Sequence, residues 1–355
     1  MKRILLAVIA ALYTFTAQAQ ETNLKISGYI ESYYSYDFNK PENHLKPQFL
    51  YNFNRHNEVN LNLGIIKATY STENVHGNLG LMVGTYPQYN MAAEPDLLRN
   101  IYEANAGIKL SKSSNLWLDA GIFASHIGFE GAIGKDNWTL TRSILAENSP
   151  YYEAGAKITY TSTDNTLVLS GLYLNGWQRI QRVEGNSTPA FGTQVIYKPS
   201  DQVTLNSSTF IGNDKPDNVR LNRYFHNFYG VFQLDPQFGL ILGFDMGTEQ
   251  KAKGSDQYNT WYSPVAIIRY QPSAKISLAG RAEYYSDKNG VIISSGTPNG
   301  FKTWGYSANI DYSPYPNVVL RLEGRVLDSK DLIFMREENP VNHNASISTS
   351  IALSF

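Results

Sequence analysis

Cysteine is absent from the 355 residues, so the chain has no disulfide, no thiolate metal site and no thiol for a lipid anchor. Charge imbalance is absent as well. Lys and Arg number 30 against 31 Asp and Glu, a formal net charge of -1, which leaves no electrostatic footprint for nucleic acid. Beyond the first residues no run approaches about 18 apolar positions, which excludes a membrane-spanning helix. The six His, at 44, 56, 76, 126, 226 and 343, include no pair at metal-ligand spacing, and no cofactor is expected.

The N-terminus carries a different signal. Lys2 and Arg3 precede an apolar run over 4–15, and Ala17-Gln18-Ala19 is a small-x-small cleavage site. Residues 1–19 therefore read as a secretory signal peptide, with 20–355 as a single mature domain.

From residue 23 onward, segments of about ten residues alternate in polarity with period two. Sixteen strands are expected: 23–37, 57–71, 77–87, 100–111, 115–127, 151–161, 165–176, 190–198, 202–212, 222–234, 237–247, 260–271, 275–285, 302–312, 317–328 and 343–355, with 14 or 18 as alternatives. Tight connections rich in Pro, Asp and Ser, such as Lys198-Pro199-Ser200-Asp201 and Ser313-Pro314-Tyr315-Pro316, alternate with long polar ones such as 39–56, 128–150 and 286–301. Short turns on one side and long loops on the other are the asymmetry of outer-membrane barrels, and a soluble sandwich has no reason to keep it.

The faces agree with this. In the fifteenth strand Val318, Leu320, Leu322, Gly324 and Val326 alternate with Val319, Arg321, Glu323 and Arg325. A mid-strand Arg on a lipid face costs about 2–4 kcal/mol, so the charged row must face inward. On the apolar face, Tyr160, Tyr197, Tyr270, Tyr312 and Phe355 fall at turn ends, and Tyr34, Tyr102, Tyr152, Tyr173, Tyr224, Tyr262, Tyr284 and Trp304 at loop ends. Two aromatic rows bracketing an aliphatic band are membrane girdles. The segment 343–355 is expected to pair with the first strand and close the wall. The fold class is thus all-β, a transmembrane antiparallel barrel partnered by outer-membrane lipid.

Sixteen strands are wide enough for an aqueous lumen. The inward charges are Arg269, Arg281, Glu283, Arg321, Glu323 and Arg325 late in the chain, and Glu31, Glu103 and Asp119 early. They read either as a charged lining that sorts solutes or as a network neutralised within the wall. The third long loop adds Glu130, Asp136, Arg142 and Glu147 beside Trp138, Leu140, Ile144 and Leu145, too apolar for a solvated loop. Its alternative is a surface lid packed on neighbouring loops.

Gly128-Phe129-Glu130, Thr141-Arg142-Ser143 and Pro150-Tyr151-Tyr152 resemble the OmpL-like β-barrel porin family, within an architecture similar to general porins. The resemblance implies a third loop folded into the lumen, with Glu130, Asp136, Arg142 and Glu147 at the constriction, and a homotrimer. The function expected is a water-filled diffusion channel for small hydrophilic solutes, without catalysis. Two alternatives stand beside it. One is a non-conducting structural or adhesive barrel. The other is a lipase built on Ser207 and His226, which share the apolar parity of adjacent strands.

Overall fold

The computed structural model describes residues 23–355. The segment read as a signal peptide, 1–19, lies outside them. Every strand the alternation predicts is present. They are β1 Leu24–Asp37, β2 Val59–Ser71, β3 Val75–Val83, β4 Ile101–Lys109, β5 Asn115–Ala124, β6 Tyr152–Thr161, β7 Leu167–Leu174 and β8 Ala190–Ser200 in the first half. The second half holds β9 Val203–Gly212, β10 Arg223–Gln233, β11 Phe238–Gln250, β12 Tyr258–Ser273, β13 Ile276–Asp287, β14 Phe301–Tyr315, β15 Val318–Ser329 and, last, β18 His343–Ser354. A hairpin that the sequence reading omits, β16 Phe334–Arg336 with β17 Asn339–Val341, stands in the final loop and forms a separate sheet.

The sixteen long strands close into one antiparallel barrel in which β18 pairs with both β15 and β1. Among the described residues no helix is long and apolar enough to cross a membrane. The seam ends on a specific contact. Gly28 and the terminal Phe355 exchange backbone hydrogen bonds of 2.7 and 3.0 Å, and the Phe355 ring lies on the spot a Gly28 side chain would fill. An aromatic covering a strand glycine restores the packing that the missing side chain gives up. Gly28→Val is therefore expected to push Phe355 off the wall. Its heat-modifiable gel transition should fall by several degrees; an unchanged midpoint would remove the contact from the seam's stability.

The alternation sorts side chains as expected. Leu118, Leu278, Leu320, Leu322 and Ile351 are exposed on the outer face, while Arg281, Glu283, Arg321, Glu323 and Arg325 point inward. Tyr173, Tyr224, Tyr262 and Trp304 hold the loop-side belt and Tyr160, Tyr197, Tyr312 and Phe355 the turn-side belt. Two expected belt residues are elsewhere. A bulge at Gly80/Leu81 shifts the β3–β4 register, which turns Tyr102 onto Gly80. Tyr152 is buried beneath the second loop, where its hydroxyl donates to Glu94 at 3.1 Å.

The inner space is largely filled. One buried apolar cluster joins wall residues Leu63, Met82, Ile267 and Ala352 to loop residues Tyr86, Met91, Leu145 and Tyr151. A second, at the loop side, joins Phe210, Phe225, Trp261 and Leu327 to Phe49, Ile144, Ile293 and Phe334. The loops carry the apolar surface that a barrel of this width leaves room for.

Candidate functional site

The loop between β5 and β6 is braced by its own polar groups. The Arg142 guanidinium is fully buried and donates to the carbonyls of Gly131 (2.8 Å), Leu140 (2.8 Å) and Ala132 (3.0 Å). Asn137 ties the same turn from the other side, donating to Gly131 O at 3.0 Å and accepting from Gly131 N at 2.9 Å. Ser143 caps the short helix Ile144–Glu147 by accepting from Ala146 N at 3.2 Å. A loop this long with its carbonyls satisfied by its own arginine holds one shape.

That shape is anchored on opposite walls. Near its start, His126 bonds Glu153 through Nδ1 (2.8 Å) and Thr209 O through Nε2 (2.8 Å), and Gly128 N donates to Asn227 at 3.1 Å. Farther on it meets β13–β15. Arg281 donates to Thr139 Oγ1 at 3.0 Å and to Thr141 O at 2.6 Å. The same guanidinium lies 3.3 Å from Glu283, 3.3 Å from Glu323 and 3.9 Å from Glu130. Glu323 accepts from Thr141 N at 2.8 Å and from the Thr141 hydroxyl, while Glu283 accepts from Ile144 N at 2.5 Å and from Arg325 at 2.7 Å. Arg321 pairs with Asp311 at 2.8 Å and donates to Gly134 O and Asn137 O at 2.7 and 2.9 Å. On β1, Glu31 accepts from Asn62 at 3.2 Å and lies against Gly134, where any side chain would collide with its carboxylate.

The first loop latches onto the third from the mouth. Glu147 accepts from Tyr51 N at 3.0 Å and from Asn52 Nδ2 at 3.1 Å, and burial pushes its carboxyl up to about 7. Phe53 packs edge-on against Tyr33 at 5.4 Å and lies under Arg142 at 5.8 Å.

The early wall is arranged differently. Glu103 pairs with Lys67 at 2.9 Å and Asp119 with His76 at 2.5 Å, with Trp117 stacked on His76 at 4.5 Å. These groups retain access to two cavities. One of about 260 Å³ lies between the third loop (Phe129 to Ile133, Asp136) and Met82, Tyr102 and Glu103. The other, about 500 Å³, lies toward the turns among His76, Asp119, Phe123 and Lys157. Glu103 and Ala124 line both, so the two adjoin. Asp136 pairs with Lys135 at 2.9 Å and is exposed, and Arg269 lies 4.2 Å over Trp138 beside a smaller space of about 210 Å³.

The structure therefore brings Glu130, Arg142, Glu147, Arg281, Glu283, Arg321, Glu323 and Arg325 into one buried assembly, with Arg281, Arg321 and Arg325 at most 4 % exposed, while Arg269 is half-buried outside it. Glu103, Asp119 and Asp136 stand apart, on the side that remains open. Periodicity carried no sign of Thr139 and Thr141, whose hydroxyls mediate the anchoring, nor of Tyr51 and Asn52, whose backbone amides do. Ser207 and His226 do meet on the outer face, at 2.8 Å, beside a Thr193–Thr209 pair at 2.7 Å. Each hydroxyl on that lipid-facing patch thus has a partner. The neighbouring backbone N–H groups are spent in the ladder.

The family described as "Putative beta-barrel porin-2, OmpL-like" matches residues 23–355. No curated protein sequence matches the chain. Solved structures share the fold at low identity. An anion-selective porin from Comamonas acidovorans superposes with a TM-score of 0.61 at 9 % identity, covering 94 % of this chain and 99 % of that one. In-vitro folded OmpT, an outer membrane protein of Vibrio cholerae, gives 0.60 at 8 % identity over 94 % and 97 %. Salmonella typhi OmpF, in a complex with daunomycin, gives 0.59 at 12 % identity over 94 % and 97 %.

Proposed function

We propose a passive pore from this premise: the chain belongs to the OmpL-like β-barrel porin family, matched over residues 23–355, and is an outer-membrane barrel. Small hydrophilic solutes and ions cross by restricted diffusion, without cofactor or energy coupling. The third loop narrows the lumen, and the route runs along the β3–β6 wall. The observation that carries this reading is the pair of adjoining cavities that meet at Glu103 and Ala124, away from the β13–β15 wall that holds the loop's ion cluster. The arginines of β13 and β15 then act as anchors for the loop, and the solute meets Glu103, Asp119 and Asp136. Carboxylates outnumber cations along that lining, which favours cations. The signal peptide is removed during export to the outer membrane. Vibrio cholerae OmpT occurs in a trimer form, and a homotrimer is proposed here by analogy of fold.

Reconstituted in a planar bilayer, the folded barrel is expected to pass current above background with a cation-selective reversal potential. Glu103→Gln removes a lining charge and leaves Lys67 unpaired, so the reversal potential should move toward that of anions. A silent barrel would overturn the pore and leave a second reading, which the apolar cluster across the loop-side mouth supports: a plugged barrel acting through its exposed loop tips. A lipase is not favoured. Among the described residues no carboxylate or amide orients His226, and the strand N–H groups around Ser207 are engaged in the ladder.

A further inference from the structure

Lys46 is a buried cation that the channel reading does not use. It lies in the first loop, 5 % exposed, and its chain is fixed by Lys46 N donating to Asn54 O at 2.8 Å and by the Leu45–Arg55 bridge. Its ammonium has three hydrogens to place. One is accepted by Ser348 Oγ at 3.1 Å, and among the described residues no carboxylate stands within ion-pair distance of it. The nearby acids are already engaged. Asp37 accepts from Asn344 at 2.8 and 2.9 Å and from Asn39 N at 2.8 Å. Glu323 is taken by Thr141 and Arg281, and Glu147 by Tyr51 and Asn52. Asp37, Glu323 and Glu147 attract this ammonium from beyond ion-pair distance, and with its one printed bond going to Ser348 it has hydrogens left for an acceptor from outside.

The residue lines a cavity of about 560 Å³ between the first, seventh and eighth loops at the loop-side mouth. Part of its wall is apolar. Phe49 meets Phe301 edge-on at 4.7 Å and Phe334 at 6.3 Å, with Ile293 and Ile333 alongside. At the rim, Lys40 is neutralised by Glu337 at 3.3 Å, whereas Glu42 and Glu338 have no ion-pair partner among the described residues. Lys46 shares the inner lining with Asp37, whose carboxylate is already taken by Asn344 and Asn39, so a ligand with one carboxylate for Lys46, an apolar body and an outer end that is not anionic fits this lining.

We propose that this cavity is a binding site for a small amphipathic monocarboxylate with an aromatic or branched-aliphatic body, its carboxylate on Lys46. The site is separate from the β3–β6 route, so it stands whether or not the barrel conducts. Burial holds the Lys46 ammonium down to about 8, so the site loses its charge in mildly alkaline solution. Asp37, Glu323 and Glu147 oppose that shift and Arg325 adds to it.

The test is equilibrium dialysis of 4-phenylbutyrate against the full-length folded barrel in nanodiscs, with empty nanodiscs subtracted. One saturable site is expected at pH 7, weakened at least tenfold by pH 9.5. Lys46→Met should cost at least tenfold in affinity and Lys46→Arg much less. Ile333→Glu, which leaves Lys46 and the loop contacts in place but puts a carboxylate in the wall, should lose binding too. The amine analogue 4-phenylbutylamine should show no saturable uptake. No saturable binding of the acid, equal binding by Lys46→Met or Ile333→Glu, or equal uptake of the amine would each overturn the site.

Discussion

Arg281→Met is expected to release the third loop from the wall while leaving the barrel closed. The guanidinium sits among Glu130, Glu283 and Glu323 at 3.9, 3.3 and 3.3 Å and also holds Thr139 and Thr141. With methionine in its place Glu283 keeps Arg325 and Glu323 keeps Thr141, but Glu130 loses its ion-pair partner in a buried position. Removing one member of a buried ion cluster costs about 3–5 kcal/mol, because the charges left behind demand water. Water enters most readily by lifting residues 139–146 away from β13–β15. The ladder itself is not at risk, since Arg281 pairs with Ile267 and Ser307 through backbone groups that the substitution keeps. Amide exchange over 139–146 should therefore speed up by about a hundredfold or more, in line with that free energy. Single-channel conductance should rise several-fold, and the heat-modifiable gel shift should persist. Unchanged exchange in a folded Arg281→Met barrel would mean that the ion cluster does not anchor the loop.

The wall was legible because two solvents constrain it at once. A strand with lipid outside and polar groups inside must alternate, so Arg321, Glu323 and Arg325 could be assigned to the inner face from spacing alone. Their neighbours Leu320 and Leu322 went outward on the same ground. The alternation of turns and loops then gave the topology, down to the pairing of β18 with β1. The β16–β17 hairpin was not legible. Its strands have three residues each, too short for a period, one contains Pro340, and its turn places Glu337 and Glu338 at φ 45° and 68° without a glycine to announce it. Tyr102 was misplaced because a single bulge changes the face of every residue beyond it. For the inner charges, period two says which side a residue faces but not what meets it there. Whether Arg281 faces water or Thr141 depends on how a loop some 140 positions away in the chain docks, and that is settled by Arg142 and its carbonyls, not by strand pattern. Lys46 lies in a loop with no period at all, and that no carboxylate among the described residues pairs with it directly is visible only in three dimensions.

Glu147→Gln is expected to abolish a pH dependence in the latch between the first and third loops. An undocked, solvated Glu147 ionises near 4.5, as a free glutamate does, whereas the docked one is pushed up to about 7 by burial, with Tyr51 N, Arg142, Asn52 and Arg325 opposing that push. Below pH 4.5 both forms are protonated and the latch has its full strength. Between 4.5 and 7 the undocked form has released a proton that the docked form still holds, so docking weakens as pH rises, by about 1.4 kcal/mol per unit. Above 7 both are ionised and the loss is complete, roughly 3 kcal/mol in all. The amides of Tyr51 and Asn52, which donate to this carboxylate, report it directly. Corrected for intrinsic rates, their protection should fall about a hundredfold from pH 4.5 to 7.5 in the native chain. In Glu147→Gln, where a neutral side chain keeps an oxygen to accept from both amides, protection should stay high and flat. His56, in the same loop, titrates in both proteins, and Lys46 does so only near 8, above the window. The difference between the two profiles therefore belongs to Glu147. An equal slope in both would place the pH response elsewhere in the first loop, and a rise in protection with pH would mean that Glu147 docks as the anion, held by Arg142 and Arg325 against its burial.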